Sequence, residues 1–541
     1  MAEPPKNKIS AKSAGLVSLA VMSSRLLGLV REQVFAALFG AGVEMDAFTA
    51  AFRAPNLLRD LFAEGALSTA FITTFSEKIT NGGDAEAWKL ANKVATLAAV
   101  FMSIVTLIGI ALAPSLMHLL APGYAEIPGK MELTILLTRI MFPFILMVSL
   151  AALVMGMLNA KNVFGMPAMA STFFNLGSIF GGVALGWWLD PHFGTAHADA
   201  RSLIGLSIGT LIGGVMQLVV QFPALRRIGY HFRPDFQWRD PGVRRILLLM
   251  GPAIIAASAV QVNVMVNGNF ASHLGNGPPS WLTYAFRLMQ LPIGIFGVAI
   301  GTVTLPVISR SAAAGNTAEF RSILARGMRL AFLLTIPSTI GLVLLARPII
   351  SLIFERRKFT AASTDHTAEA LQCYAVGLCA YAGIKVLAPA FYAIGKRNLP
   401  MLVSFLSIAV NYGLNQLFTF HLALGHRGLA LSTGFVALTN FSLLYWMMRR
   451  ETKHLETRLM LVTFGKLAIS GAALALVCHA SQTFVLHRWT EFGFITRAVL
   501  LCSTISIGGL TFFVVAALLK IEEMNDLTSL VRRKMSRRKA A

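Results

Sequence analysis

Acidic residues and cysteines are scarce in this chain. Only 25 Asp and Glu stand against 47 Lys and Arg in 541 residues, and charged residues of both signs make up 13%. No long polar block interrupts the sequence, which excludes a soluble domain of ordinary size. The four cysteines, Cys373, Cys379, Cys478 and Cys502, lie in apolar runs without CxxC or His/Cys spacing. That pattern argues against a metal centre or a disulfide framework. There is no P-loop, no HExxH and no carboxylate pair suited to a membrane active site. His118, His192, His197, His273, His421 and His426 lie near loops or span ends without ligand spacing. The expectation is a protein with no cofactor, no metal and no catalytic residue, so any ATP-driven work needs a separate subunit. No basic stretch is interleaved with aromatics, so nucleic acid is not an expected partner.

What the chain has in quantity is apolar sequence: 55% hydrophobic residues and a mean hydropathy of +0.66. A membrane-spanning helix needs about 20 predominantly apolar residues, and such stretches follow one another almost end to end. They predict an all-α polytopic membrane protein of about fourteen transmembrane helices. The spans fall near 14–39, 45–75, 91–120, 133–159, 164–189 and 202–222, then 246–272, 280–308, 329–353, 369–394, 399–421 and 428–448, with two more near 460–486 and 496–519. The start is polar and basic, and Arg25 interrupts the first apolar run, which predicts an uncleaved first helix and no signal peptide. An even count places both termini on one face. That face collects Lys6, Lys8 and Lys12, the Arg226–Arg245 loop, Arg310 to Arg329, Lys396 and Arg397, Arg449 to Arg458, and the tail from Arg532. The positive-inside bias makes it cytoplasmic. The net charge of +22 then reflects orientation and contact with anionic lipid. Arg356, Arg357 and Lys358 fall on the outer side and dissent.

A repeat runs through the chain. Ala51-Phe52-Arg53 recurs as Ala285-Phe286-Arg287, and at the same offset Leu57 matches Leu291 and Phe62 matches Phe296; Pro167 with Pro400 and Asn175 with Asn411 follow closely. Six helices per unit is an even number, so the copies are parallel, related by an axis along the membrane normal as in many transporters. The predicted organisation is a tail at 1–13, a first six-helix lobe at 14–234, a second at 235–450, two additional helices within 451–520, and a basic tail at 521–541. Substrate sites in such folds lie between repeats near mid-membrane.

The segment from Ser24 to Phe71 places Arg25, Arg31, Glu32, Asp46, Arg53, Arg59, Asp60 and Glu64 in or beside two apolar helices. A charge at mid-bilayer costs at least ~2.5–3.5 kcal/mol, so such residues usually face a protein interior or an aqueous cavity. Arg25 lies about 18 Å along its helix from Ser13, and Arg31 about 27 Å, near the outer boundary. Arg53 and Arg59 lie about 12 and 21 Å from Met45. Pro55 between them removes a backbone hydrogen bond and predicts a kink; Pro292, after Arg287, is its counterpart. Arg25, Arg31, Arg53, Arg59, Arg287 and Lys385 form a cationic set from both halves, suited to phosphate oxygens. Glu32, Asp46, Asp60 and Glu64 are candidates for gating or charge balance. In the second half Asn263, Asn267, Asn411 and Asn415 are amides; Asn411 and Asn415 form a weak candidate cation site, with interhelical hydrogen bonding as the alternative.

These blocks resemble a known family. SRLLGLVREQVFAALFGAG…DAFTAAFRAPNLLRDLFAEGALSTAF, YAFRLMQLPIGIFGVAIGTVTLP and KVLAPAFYAIGK are similar to the MurJ (MviN) lipid II flippases of the MOP exporter superfamily, and the resemblance covers nearly the whole chain. It implies two six-helix lobes around a cavity, with the last two helices forming a groove for a polyprenyl tail. It implies required residues at Arg25, Arg31, Arg59, Arg287 and Asp46. It implies alternating access that carries undecaprenyl-pyrophosphate-linked peptidoglycan precursor (lipid II) across a bacterial cytoplasmic membrane, and a transporter rather than an enzyme. The implied partners are lipid II, membrane lipids and cell-wall synthesis proteins. Asp60, Phe286 and Thr73 depart from the family pattern. A related exporter of other lipid-linked oligosaccharides or drugs, a membrane scaffold and an intramembrane transferase are the alternatives.

Overall fold

The computed structural model describes residues 11–195 and 200–524, without the side chains of 11–18 and 63–66. Among the described residues there is no strand. The helices are α1 (Ala11–Phe39), α2 (Val43–Arg59), α3 (Ser68–Ala111), α4 (Ala113–Leu120), α5 (Lys130–Met141), α6 (Phe144–Ala160), α7 (Gly165–Leu189), α8 (Ala200–Val219), α9 (Phe222–Arg227) and α10 (Pro241–Ser272). They continue as α11 (Pro278–Pro292), α12 (Val298–Ala313), α13 (Thr317–Leu344), α14 (Ala346–Phe354), α15 (Ala361–Ala375), α16 (Leu378–Ala393), α17 (Asn398–Asn415), α18 (His426–Glu451), α19 (Thr457–Phe484) and α20 (Phe494–Leu518). Among the described residues eleven continuous helical stretches are long and apolar enough to cross a membrane, counting α5 with α6, α8 with α9, α11 with α12, and α17 with the π segment after it as one each; α15 with α16, bent by 43°, makes a twelfth. The expected spans without a match among these are the two charge-bearing ones, α1 and the segment beginning with α2. Gly83, at φ 73°, breaks α3 and so separates the second span from the third.

The chain divides into two compact units. One comprises Met1–Ser280 with Arg356–Phe359, the other Trp281–Glu355 with Thr360–Ala541. The repeat marks a sequence boundary at 234/235, whereas packing places α10 with the first unit. In that unit α7 and α8 form a hairpin whose glycines let the backbones touch. A Cβ on Gly209 would overlap the Gly182 backbone, and one on Gly205 the Gly186 backbone; small residues give helices in lipid this close approach. The basic loop before α10 is tied to α3: Lys93 Nζ donates to Asp240 Oδ2 at 2.8 Å, and the Arg233 and Asp235 amides donate to Asn92 and Thr96. Asp240 also caps α10 by accepting from the Gly242 amide. The dissenting loop lies in this unit as well. Lys358 N donates to Ala37 O at the end of α1, at 3.3 Å, and the Lys358 carbonyl packs on Gly40.

In the second unit the last two helices dock on α13 and α14. Arg329 is buried and donates to Glu456 Oε2 at 2.8 Å and Glu523 Oε1 at 2.5 Å. At the other end Trp489 Nε1 donates to Ser351 Oγ, and Gln482 donates to the Leu344 carbonyl.

The helix following each repeated Ala-Phe-Arg motif passes into π-helical register, at Asp60–Leu67 and at Ile293–Gly297. The offset that aligns Arg53 with Arg287 brings the first π segment onto the second. The repeat is thus visible in backbone irregularity as well as in sequence, and π segments occur frequently at functional sites. α2 runs through Pro55 as α-helix, and the π segment begins five residues further on, at Asp60.

Two outcomes are expected. Gly209→Leu should destabilise the purified protein by about 1–3 kcal/mol, because backbone cannot give way to the new side chain. Gly465→Leu, where nothing lies within 4 Å of a Cβ, should leave the thermal midpoint unchanged. Partial burial raises the Asp240 carboxyl, but its bonds to Lys93 and the Gly242 amide outweigh this and hold it below the usual 3.8. Its contribution is therefore present above that value and lost as pH falls through the lower folded value. The stability gap between wild type and Asp240→Asn, read from melting curves, should be full at neutral pH and close in acid.

Candidate substrate site

α1 carries the first charges. Asn175 of α7 donates to the Ser24 carbonyl at 3.1 Å, fixing this stretch of α1. Arg25 is exposed and makes no ion pair among the described residues. Arg31 is 8% exposed; its Nη2 donates to Glu32 Oε1 at 2.9 Å, and its guanidinium lies 5.2 Å from the Phe174 ring. This neighbouring pair is buried in protein, so Arg31 is not a snorkelling residue.

Asp46 and Lys130 form the most enclosed polar node. Both side chains have 0% exposure, with Lys130 Nζ 2.9 Å from Asp46 Oδ2. The same oxygen accepts from the Gly277 amide at 2.8 Å, and Oδ1 accepts from the Ser280 amide at 3.0 Å and hydroxyl at 2.6 Å. Asp46 therefore closes the N-terminus of α11, where unpaired amides and the helix dipole favour an anion. Lys130 also donates to Asn276 Oδ1 at 3.0 Å and the Gly275 carbonyl at 3.4 Å, and lies 4.1 Å over the Tyr124 ring. Ser280 is the repeat equivalent of Asp46, so the starts of two equivalent helices meet here.

Further along α2, Arg53 lines a small cavity with Thr49, Ala50, Tyr124, Gly268 and Pro279. A Cβ on Gly268 would strike the Arg53 guanidinium, so this glycine gives the guanidinium its present path past α10. Arg59 donates to Asp60 Oδ1 through Nε at 3.1 Å and Nη2 at 2.8 Å, and Gln261 reaches Asp60 Oδ2 at 3.4 Å. Asp60 neutralises its neighbour. The Glu64 side chain lies outside the described residues.

In the second unit Arg287 of α11 and Lys385 of α16 are exposed, and Lys385 makes no ion pair among the described residues. Gly301 lets α12 close on the Lys385 carbonyl. Asn411 and Asn415 are buried on α17, and Ser432 of α18 donates to Asn415 Oδ1, an interhelical hydrogen bond of the kind expected as the alternative to a cation site. Lys130, Gly277 and Ser280 escaped the sequence reading. The available signal was Lys130 itself, a lysine between two expected spans on the face where the charge bias predicts few.

The fold is that of the MOP-superfamily transporters. An inward-facing multidrug resistance MATE family transporter of that superfamily matches with a TM-score of 0.68 at 15% identity, over 81% of this chain and 98% of that one. Residues 35–500 match the family described as Lipid II flippase MurJ. The probable lipid II flippase MurJ of Vibrio cholerae is 33% identical over 97% of this chain and 99% of its own length. The lipid II flippase MurJ of Burkholderia cenocepacia is 35% identical, over 88% and 90%. The structure of a lipid II flippase MurJ in an inward closed conformation matches with a TM-score of 0.74 at 25% identity, over 92% of this chain and 98% of that one. The chain belongs to the MurJ family.

Asp46→Ala strands the buried Lys130 charge and two amides and should cost about 3–5 kcal/mol. Adding Lys130→Met should restore part of the lost thermal midpoint, since it removes the uncompensated charge. Equal midpoints for the single and double variants would contradict this account of the node.

Proposed function

We propose that this protein carries lipid II, the undecaprenyl-pyrophosphate-linked peptidoglycan precursor, from the inner to the outer face of a bacterial cytoplasmic membrane by alternating access. Membership of the MurJ family supports the substrate class. The observation that carries the charge logic is the pairing of acids. Glu32 is paired with Arg31, Asp46 with Lys130 and Asp60 with Arg59, while Arg25 and Lys385 are exposed and make no ion pair among the described residues. Local neutralisation of the acids leaves a cationic surplus for the pyrophosphate, to which arginine bonds bidentately.

In this reading Arg25, Arg53, Arg59, Arg287 and Lys385 engage the head group. Arg31 with Glu32 and Asp46 with Lys130 hold the helices that present them. The π segments following Pro55 and Pro292 are the flexing points, because a register change absorbs backbone rotation more readily than regular helix. Both termini are cytoplasmic, as the charge bias requires. α19 and α20 hold the polyprenyl tail, and cell-wall synthesis proteins consume the product. The driving force is a gradient, the membrane potential or consumption downstream. A charge moved through 100 mV gains about 2.3 kcal/mol, enough to reset an arginine-rich site.

Depletion in the host should cause undecaprenyl-linked precursor to accumulate at the inner face, and wild-type protein should reverse this. Arg25→Ala and Arg287→Ala, inserted at wild-type levels, should each lower flipping by roughly tenfold or more, the effect of losing one hydrogen bond to a charged group, about 1.5–3 kcal/mol. An unchanged precursor distribution on depletion would sink the flippase reading.

A further inference from the structure

The second unit holds a cluster that the transport reading does not use. α15 carries His366 and Glu369, three residues apart on one face, and α18 begins at His426. Glu369 Oε2 lies 3.3 Å from His426 Nε2 and 3.6 Å from His366 Nδ1, and the three donor atoms all lie within 4.8 Å of one another. Each of these three atoms is buried and lacks a hydrogen-bond partner, although buried polar atoms are nearly always satisfied. Trp281, in the first turn of α11, stacks on His366 with ring centres 4.3 Å apart and presents an edge to His426 at 5.2 Å. Arg427 Nε approaches Glu369 Oε2 to 3.1 Å, with its side chain 54% exposed.

We propose that His366, Glu369 and His426 form a binding site for a divalent d-block cation of the zinc type. The donor set is two imidazole nitrogens and one carboxylate oxygen. Calcium and magnesium take oxygen ligands, whereas zinc accepts histidine nitrogen and carboxylate oxygen. Bonds of about 2.0–2.2 Å to a tetrahedral ion place neighbouring donors roughly 3.3 Å apart, close to the separation of Glu369 from each imidazole. Three protein ligands leave a fourth position for water. The Trp281 ring covers one side of the cluster. Arg427 is the competing partner of Glu369, and the bound ion displaces it into the solvent that already reaches half of it. Occupancy ties α15 to α18 beneath the first turn of α11, the helix that carries Arg287. The site stands independently of the lipid substrate.

The test uses full-length, untagged protein in detergent, stripped with a chelator and titrated with zinc chloride. Calorimetry should show one saturable site, and zinc should raise the thermal midpoint. His366→Ala, His426→Ala and Glu369→Gln should each weaken binding at least ~tenfold, since even outer partners of a metal site are worth 10–100-fold. Arg427→Gln should not weaken it. Zinc binding by wild type no tighter than by the His366→Ala/His426→Ala variant overturns the site. Cobalt(II) loading of wild type gives a reading that needs no variant. Visible d–d bands of a protein-bound ion are expected, and a spectrum identical to aqueous cobalt overturns the proposal equally.

Discussion

The buried Asp46–Lys130 pair is the constraint on which the first unit depends. Two opposite charges with no solvent exposure are tolerated only when each is fully bonded, because removal from water costs several kcal/mol per ion. Here the aspartate takes a lysine, two amides and a hydroxyl, and the lysine takes a carboxylate, an amide oxygen and a carbonyl. Such a node contributes little net stability, but it tolerates few alternatives. It fixes the start of α2, the start of α5 and the turn before α11 at one point, from residues up to 234 apart in sequence. The arginine-bearing helices α2 and α11 both set out from this point.

The same rule of local neutralisation runs along the charged block. Arg31 with Glu32 and Arg59 with Asp60 pair with immediate neighbours, so these acids are satisfied without a distant partner. Arg25 and Lys385 make no ion pair among the described residues, and the proposed function rests on that contrast. Glycine permits close approach at both places: Gly268 beside the Arg53 guanidinium, and Gly301 against the Lys385 backbone carbonyl. Each repeated helix then passes into π register beyond its arginine, a shared irregularity where the proposed mechanism requires bending.

Much of this was legible in the chain. Apolar runs gave the spans, because hydrocarbon demands about 20 apolar residues per crossing. Asp46 stood out as an acid beside an apolar run, whereas its partners Lys130 and Ser280 did not. The cationic residues stood out because charge is rare in such runs. The π segments were not legible, since backbone register depends on packing. The basic loop at 356–358 contradicted the charge bias, and its packing on the end of α1 supplies the structural reason for its place. His366, Glu369 and His426 carried no spacing signal beyond an i,i+3 pair, because two helices some sixty residues apart supply the donors.

By itself, the sequence determined membrane residence, the all-helical class and the internal repeat. These depend on composition and periodicity, which the bilayer reads residue by residue. Only the tertiary structure decided which acids are spent on which cations, where the helices change register and which distant side chains share a site. Those outcomes depend on burial: a charge or a donor acquires its role from the partners that packing brings within about 3 Å, the reach of a hydrogen bond.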